Sequence, residues 1–354
     1  MAARARPNLA AVAALARVSP STASLAFSGS GPVSAATRER VLAAAAQLNY
    51  AGPDPRAQSL RRGRSGIIGV VIEDRLRDAF RDPINIAMLD GIADETGSVG
   101  AGLLLLTQNG EGAASIRNAP VDAVVLIGCS TSLAGQVAIF RRRGIVLVAI
   151  EAEPMDDVLA IGLDNRRASR RLARHLADLG HTAVEMVTLP LDAARARGAL
   201  SEAAIAAGTG FTALERLRGV RDVFAASAGR MAAASSIEEG FVAGLLILTD
   251  PRTRPTAVIA QSDLLAVGVL RAAERLGIAV PAEVSIVGFD GVNLDGISSH
   301  DLTTMVQPAV EKGRAAGRAV CALLRGGIPE AVSFTSRFHA GTTTAPARRK
   351  DGRA

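Results

Sequence analysis

The chain has no tryptophan, one tyrosine, two cysteines and, among 40 basic residues, only two lysines, Lys312 and Lys350. Each scarcity removes a class of function. Cys129 and Cys321 lie far apart in apolar contexts, which excludes a disulfide framework and fits a reducing compartment. Neither lysine follows a glycine-rich phosphate loop, and "IIGVVIEDR" runs from an apolar segment straight into charges. No GxSxG nucleophile elbow occurs, and His175, His181, His300 and His339 lack metal-ligand spacing. No catalytic residue, metal ligand or cofactor site is therefore expected. Long apolar runs are missing too. "FVAGLLIL" (Phe241 to Leu248) falls far short of the roughly 18 residues of a spanning helix, so a soluble chain with no membrane partner is expected.

What is present is length, apolar content and a localised charge. With 354 residues and 49% apolar side chains, two or three folding units are expected. The net charge of +6 is concentrated in residues 1–65, where nine arginines face only Glu39 and Asp54. That segment carries +7 and the remainder −1, so a polyanion is the expected partner of the N-terminal segment alone. "MAARARPNLAAVAALA" imitates a secretory signal, but its alanine-rich stretch stops at Arg17 and another helix follows, so a cytoplasmic protein is expected.

Three helices can be read in the first fifty residues. "LAAVAALA" has apolar periodicity. Ser19 is placed to cap a second helix with Pro20 at its first position, and a third opens at Ser34 with Val41, Leu42, Ala45 and Leu48 on one buried face. Helix, tight turn at Arg17-Val18, capped helix and supporting helix form the outline of a helix-turn-helix reader of double-stranded DNA. The short hydroxyls of "VSPSTASLAF" let a helix backbone approach the duplex. Ser19 and Thr22 are candidates for phosphates, and Ser21 and Ser24 for base edges.

From "LAAVAALARVSPSTASLAFSGSGPVSAATRERVLAAAAQLNY" through "PDPRAQSLRRGRSGIIGVV" to "HAGTTTAP", the chain resembles the lac repressor (LacI/GalR) family of bacterial transcription regulators. It departs from the usual pattern at Ala11, at Arg17 where a turn glycine is common, and at Leu25 where an arginine commonly reads a base. Leu25 can meet a thymine methyl instead. The resemblance implies that Pro20, Leu25 and Tyr50 join the hydroxyls at the DNA. It also implies that 51–65 folds as a hinge helix in the minor groove, Leu60 wedged into a base step and Arg56 and Arg61 on phosphates. By composition alone, "AGPDPRAQSLRRGRSG" also fits a plain flexible linker.

After Gly66, β-rich runs ("IIGVVI", "GLLLLT", "DAVVLI", "IVLVAI", "VEMVTL", "AVIA", "VSIVGF") alternate with helical stretches, each run expected to lead into a helix, the pattern of parallel sheets flanked by helices. The expected fold is α/β: an all-α helix-turn-helix domain (1–50), a hinge (51–65), a two-lobed periplasmic-binding-protein-like core (66–345) and a basic tail (346–354). The family places a small-molecule effector between the lobes. Matching positions here are Asp290 in "SIVGFDG", Arg216 in "ERLRG", Glu151 in "VAIEAE", and Ser262 and Asp263 in "AQSDLLAVG". "ARARG", within a longer connection than the family's usual one, competes with "ERLRG" for the arginine motif.

Where sugar-binding members stack an aromatic, this chain has Ser235 and Ala309. That disfavours a strongly stacked sugar, though Phe80 and Phe289 can partly substitute. A small polar metabolite or an unstacked sugar stays open, as do induction and co-repression. The expectation is a homodimeric regulator, by default a repressor, on a pseudo-palindromic operator. The rival readings are a two-lobed solute-binding protein and a DNA binder with a vestigial sensor core.

Overall fold

The computed structural model describes residues 7–29, 31–52, 59, 63–72, 76–107, 116–128 and 134–348. It divides into two compact units after Gly66. Arg56, Leu60, Arg61 and Cys129, and with them the hinge expectation, lie outside the described residues.

The first unit holds α1 (Leu9–Leu15), α2 (Pro20–Ser28) and α3 (Ala35–Gln47). Side chains start all three: Asn8 accepts from the Ala11 N–H, Ser19 from Thr22 and Ser34 from Thr37. The α1 and α2 axes are bent by 103°, the geometry of a helix-turn-helix corner. Alanines let the three helices approach closely around Val12, Ala23, Val41 and Ala45. Leu42, expected in this core, is 47% exposed because the buried face of α3 runs through Val41, Ala44 and Ala45. That spacing is the true 3.6-residue stripe.

α1 ends in a left-handed residue: Val18 N–H donates to the Ala13 carbonyl and Arg17 N–H to Ala14, with Arg17 at φ 52°. A side chain there is strained by about 1–2 kcal/mol, partly offset by the larger chain entropy a glycine loses on folding. Arg17→Gly is expected to stabilise this unit by ~0.5–1 kcal/mol, read by calorimetry as an upward shift of its transition.

The second unit carries two sheets. The first has strands in the order β12-β5-β4-β3-β1-β2, all parallel: β1 (Ile67–Ile72), β2 (Gly102–Thr107), β3 (Ala123–Ile127), β4 (Val146–Ile150), β5 (Leu159–Leu163) and β12 (Val332–Phe334). After the short α4 (Leu76–Ala79), α5 (Pro83–Gly97) packs on one face beside the late helix α12 (Ala309–Leu324), against Val70, Val125 and Val148. On the other face α6 (Ala134–Arg142) sets Val137 and Phe140 against Val71, Val124 and Leu126. Consecutive β3 residues thus serve opposite faces, and both are apolar, as a strand covered on two sides requires.

The second sheet runs β10-β9-β6-β8-β7, from β6 (Val184–Thr188), β7 (Gly198–Ala199), β8 (Gly229–Met231), β9 (Ala257–Ala260) and β10 (Ser285–Val287), parallel except for β7. α7 (Asn165–Asp178) and α9 (Phe211–Arg221) cover one face, α10 (Ile237–Leu248) and α11 (Asp263–Arg275) the other. α8 (Glu202–Ala207) lies in the longer connection, and β11 (Thr304–Val306) pairs antiparallel with β13 (Arg337–His339).

The chain crosses between lobes three times, near Asp164, Gln307 and Thr335. Two of the crossings are tied together, since the Ser336 N–H and hydroxyl both donate to Asp164 (2.8 and 2.9 Å). All seven expected β-runs contain a strand. The expectation that each run leads into a helix fails at β4 and β10, which pass to β5 and β11, and β6 reaches its helix only after β7; after β2 it falls on 108–115, outside the described residues. Residues 346–348 are not a free tail either: Ala347 N–H donates to the Leu179 carbonyl and Arg348 faces Glu283 at 3.8 Å. No single helix among the described residues is long and apolar enough to cross a membrane.

Candidate DNA-reading helix and effector cleft

On α2, Ser19, Pro20 and Ser21 are exposed, Thr22 and Ser24 half-buried, and Leu25 is 38% exposed. Ala23 and Ala26 face the core, so the hydroxyls and Leu25 share the outward side of the helix. The Ser19 oxygen already accepts from Thr22 N–H and lies 2.8 Å from both the Ser21 and Thr22 hydroxyls, which fixes a hydroxyl cluster at the helix start. Tyr50 stands apart from these groups: its ring packs edge-on to Phe27 at 5.6 Å.

In the second unit a cavity of ≈150 Å³ opens between the lobes. Of the seven residues expected there, Glu151, Arg216, Ser262 and Asp290 line it; Phe80, Asp263 and Phe289 do not. Phe80 is 52% exposed in the turn before α5, and Asp82, two residues on, takes the wall position while capping α5 through Ile84 N–H. Phe289 is buried beneath Arg216, the guanidinium stacking 3.6 Å from its ring centroid. Asp263 is likewise buried. It accepts from Gly291 and Val292 N–H (2.7 and 2.9 Å) and from the Thr304 hydroxyl (2.6 Å), pinning the loop after β10 to β11. Ser235 does line the cavity, its hydroxyl donating to Ser262 at 3.0 Å, and the ring on the wall is Phe211.

The floor of the cleft is a closed circuit of buried side chains. Arg216 donates to Asn165 (2.8 Å) and Asp290 (3.2 Å), and Asn165 donates to Glu151 (2.7 Å). Gln307 donates to Asp290 (2.6 Å), and Lys312 donates to both Glu151 and Gln307. Sequence reasoning missed Asn165, Gln307 and Lys312. Asn165 and Gln307 stand on the crossings, which no local pattern marks. Lys312 carried the one available signal, as one of only two lysines in the chain.

Two members of the circuit have left-handed backbones, Glu151 at φ 54° and Asp290 at φ 123°. Non-glycine residues hold such angles only where the surroundings over-determine them, a pattern that clusters at functional sites. Burial works against the Glu151 charge, but Lys312, Arg216 and the hydrogen bonds overcome it and hold its pKa below the ordinary value. For Asp290 burial wins and lifts its pKa well above the carboxylate range, Arg216 offsetting only part.

Burial also pushes Asp263 up to about 7, against the Thr304 and backbone donors. A carboxyl near 3.9 when unfolded and about 7 when folded binds more protons in the folded state between those values. Its contribution to stability is full at the acid end and is lost as pH rises towards 7. Asp263→Asn mimics the protonated form, so the midpoint advantage of the native protein over this variant is expected to shrink from pH 5 to pH 8 in thermal unfolding.

Comparison with known proteins follows the same division. Residues 8–52 match the model for bacterial regulatory proteins of the lacI family, and 173–344 that for a periplasmic binding protein-like domain. An HTH-type transcriptional regulator of Mycobacterium tuberculosis is 31% identical over 97% of this chain and 98% of its own. The regulator IpsA of Corynebacterium glutamicum is 30% identical over 96% and 98%. A lac repressor dimer, solved bound to operator and the anti-inducer ONPF, shares the fold with a TM-score of 0.76 at 22% identity, over 96% of this chain and 100% of its own. A hydroxyl-faced second helix, a two-lobed core and relatives aligned along nearly their whole length place the chain in the lacI family of DNA-binding bacterial transcriptional regulators.

Proposed function

We propose that the protein is a cytoplasmic, homodimeric repressor that binds a pseudo-palindromic operator and changes its hold on DNA when the cleft takes up a small effector. The observation that carries the sensor part is the cavity over the buried circuit. It is lined from both lobes, and at ≈150 Å³ it has the volume of a site for one six-membered ring. With one aromatic ring on its wall and carboxylate, amide and hydroxyl groups around it, a polyhydroxylated or amide-bearing ring fits better than a flat aromatic. This intact polar site also favours a working sensor over a vestigial one.

The reading surface is Ser19, Pro20, Ser21, Thr22, Ser24 and Leu25, with Tyr50 buttressing the helix through Phe27. Arg56, Leu60 and Arg61 would act in the minor groove. Selection of sheared genomic DNA by the purified protein tests the whole reading: a pseudo-palindrome should be enriched, and the absence of any enriched sequence would refute a specific reader. Leu60→Ala should then weaken operator binding at least tenfold (~1.4 kcal/mol) while nonspecific binding changes little, measured by titration at fixed salt.

A further inference from the structure

Lys312 is fully buried, yet it does not reach the cavity. Its ammonium lies behind the two residues it bonds, Glu151 at the end of β4 and Gln307 on a crossing, and both of those line the cavity. Glu151 and Gln307 in turn hold Asn165 and Asp290, which hold Arg216. One cation on α12 therefore sets the directions of polar groups from both lobes. It also occupies the position beside Glu151 that the ammonium of an amine ligand would take. Arg216 bonds Asp290 and Asn165, stacks on Phe289, and stands farther from Glu151, at 3.9 Å.

We infer that Lys312 is the positioning residue of the effector cleft, a resident ammonium that satisfies Glu151 from behind and so closes that carboxylate to the ammonium of an amine ligand. This rests on reading the cleft as the effector site. The tests below use neither effector nor operator, so a failure to find effector-dependent DNA release would count against that reading and leave this inference standing.

Lys312→Ala removes three carbons and the nitrogen, leaving a space that an ethylammonium ion fits beside Glu151. In the full-length protein, ethylammonium chloride should raise the unfolding midpoint of Lys312→Ala in a saturable way. Tetramethylammonium chloride, which cannot donate a hydrogen bond, should not, and neither salt should move the native protein or Lys312→Met, where the space is filled. No rise in Lys312→Ala, or an equal rise in the native protein, overturns the inference.

Should Lys312→Ala fail to fold, Lys312→Gln retains a donor without the charge. Burial then raises Glu151 instead of the ammonium lowering it, so the stability gap between Lys312→Gln and the native protein should narrow as pH falls from 7 to 5. Arg216, Asp290 and Asp82 face the cleft in both proteins and largely cancel in that difference. A gap independent of pH would mean that Lys312 fills space without setting the state of Glu151.

Discussion

Asp290→Ala is expected to leave operator binding intact and to abolish its response to the effector, a loss of the whole coupling free energy, about 1–3 kcal/mol or roughly 5–150-fold in affinity. The Asp290 carboxylate receives both Arg216 and Gln307 and lines the cavity, and its backbone is braced across the crossing, N–H to Met305 and carbonyl from Gln307 N–H. Removing the oxygens cuts the circuit between the C-terminal lobe and a crossing without touching the first unit, where the reading helix lies. Asp290→Asn separates two roles. Asparagine removes the charge but keeps an oxygen that can accept from Arg216 and Gln307, so lobe geometry should survive. If the effector needs only that geometry, the Asp290→Asn protein responds normally; if it needs the carboxyl, the response is lost. Operator titration with and without effector reads both variants, and a full response from Asp290→Ala would remove this residue from the site.

The parts of the fold written locally were legible in sequence. Ser19-Pro20 marks a helix start because the hydroxyl and the imide each satisfy a local requirement, and the apolar runs from Ile67 onward mark buried strands because both faces of each are covered. The site was legible where a residue ends a strand or begins a helix, as with Glu151, Ser262 and Asp290. It was obscure where the third dimension decides. Phe80 and Asp82 are two residues apart, and only the cap that Asp82 makes on α5 shows which faces the cavity. Phe289 looked like a platform for ligand and is instead a platform for Arg216.

The competing motif "ARARG" divides in the same way. Arg195 lines the cavity, while Arg197 grips Glu239 of α10 and fixes the connection that carries Phe211 to the wall. Two arginine motifs that looked like alternatives in sequence thus act together at one cleft, one inside the circuit and one at its rim. Sequence spacing could rank them but could not show that they serve the same cavity.

Lys312→Met should cause a large loss of stability. The side-chain volumes match, so the change is almost purely one of charge: Glu151, 8% exposed, loses the nearer of the two cations that offset its burial, Arg216 remaining at 3.9 Å. Breaking one side of a buried ion pair costs about 3–5 kcal/mol because an uncompensated charge is left behind. At ~2–4 °C per kcal/mol for a unit of this size, the midpoint should fall by roughly 6–20 °C. Adding Glu151→Gln to Lys312→Met removes that orphaned charge while keeping an amide for Asn165, and most of the lost midpoint should return. If the two single losses simply add in the double variant, Lys312 and Glu151 do not form an energetic pair, and the circuit beneath the cleft would be a set of independent contacts.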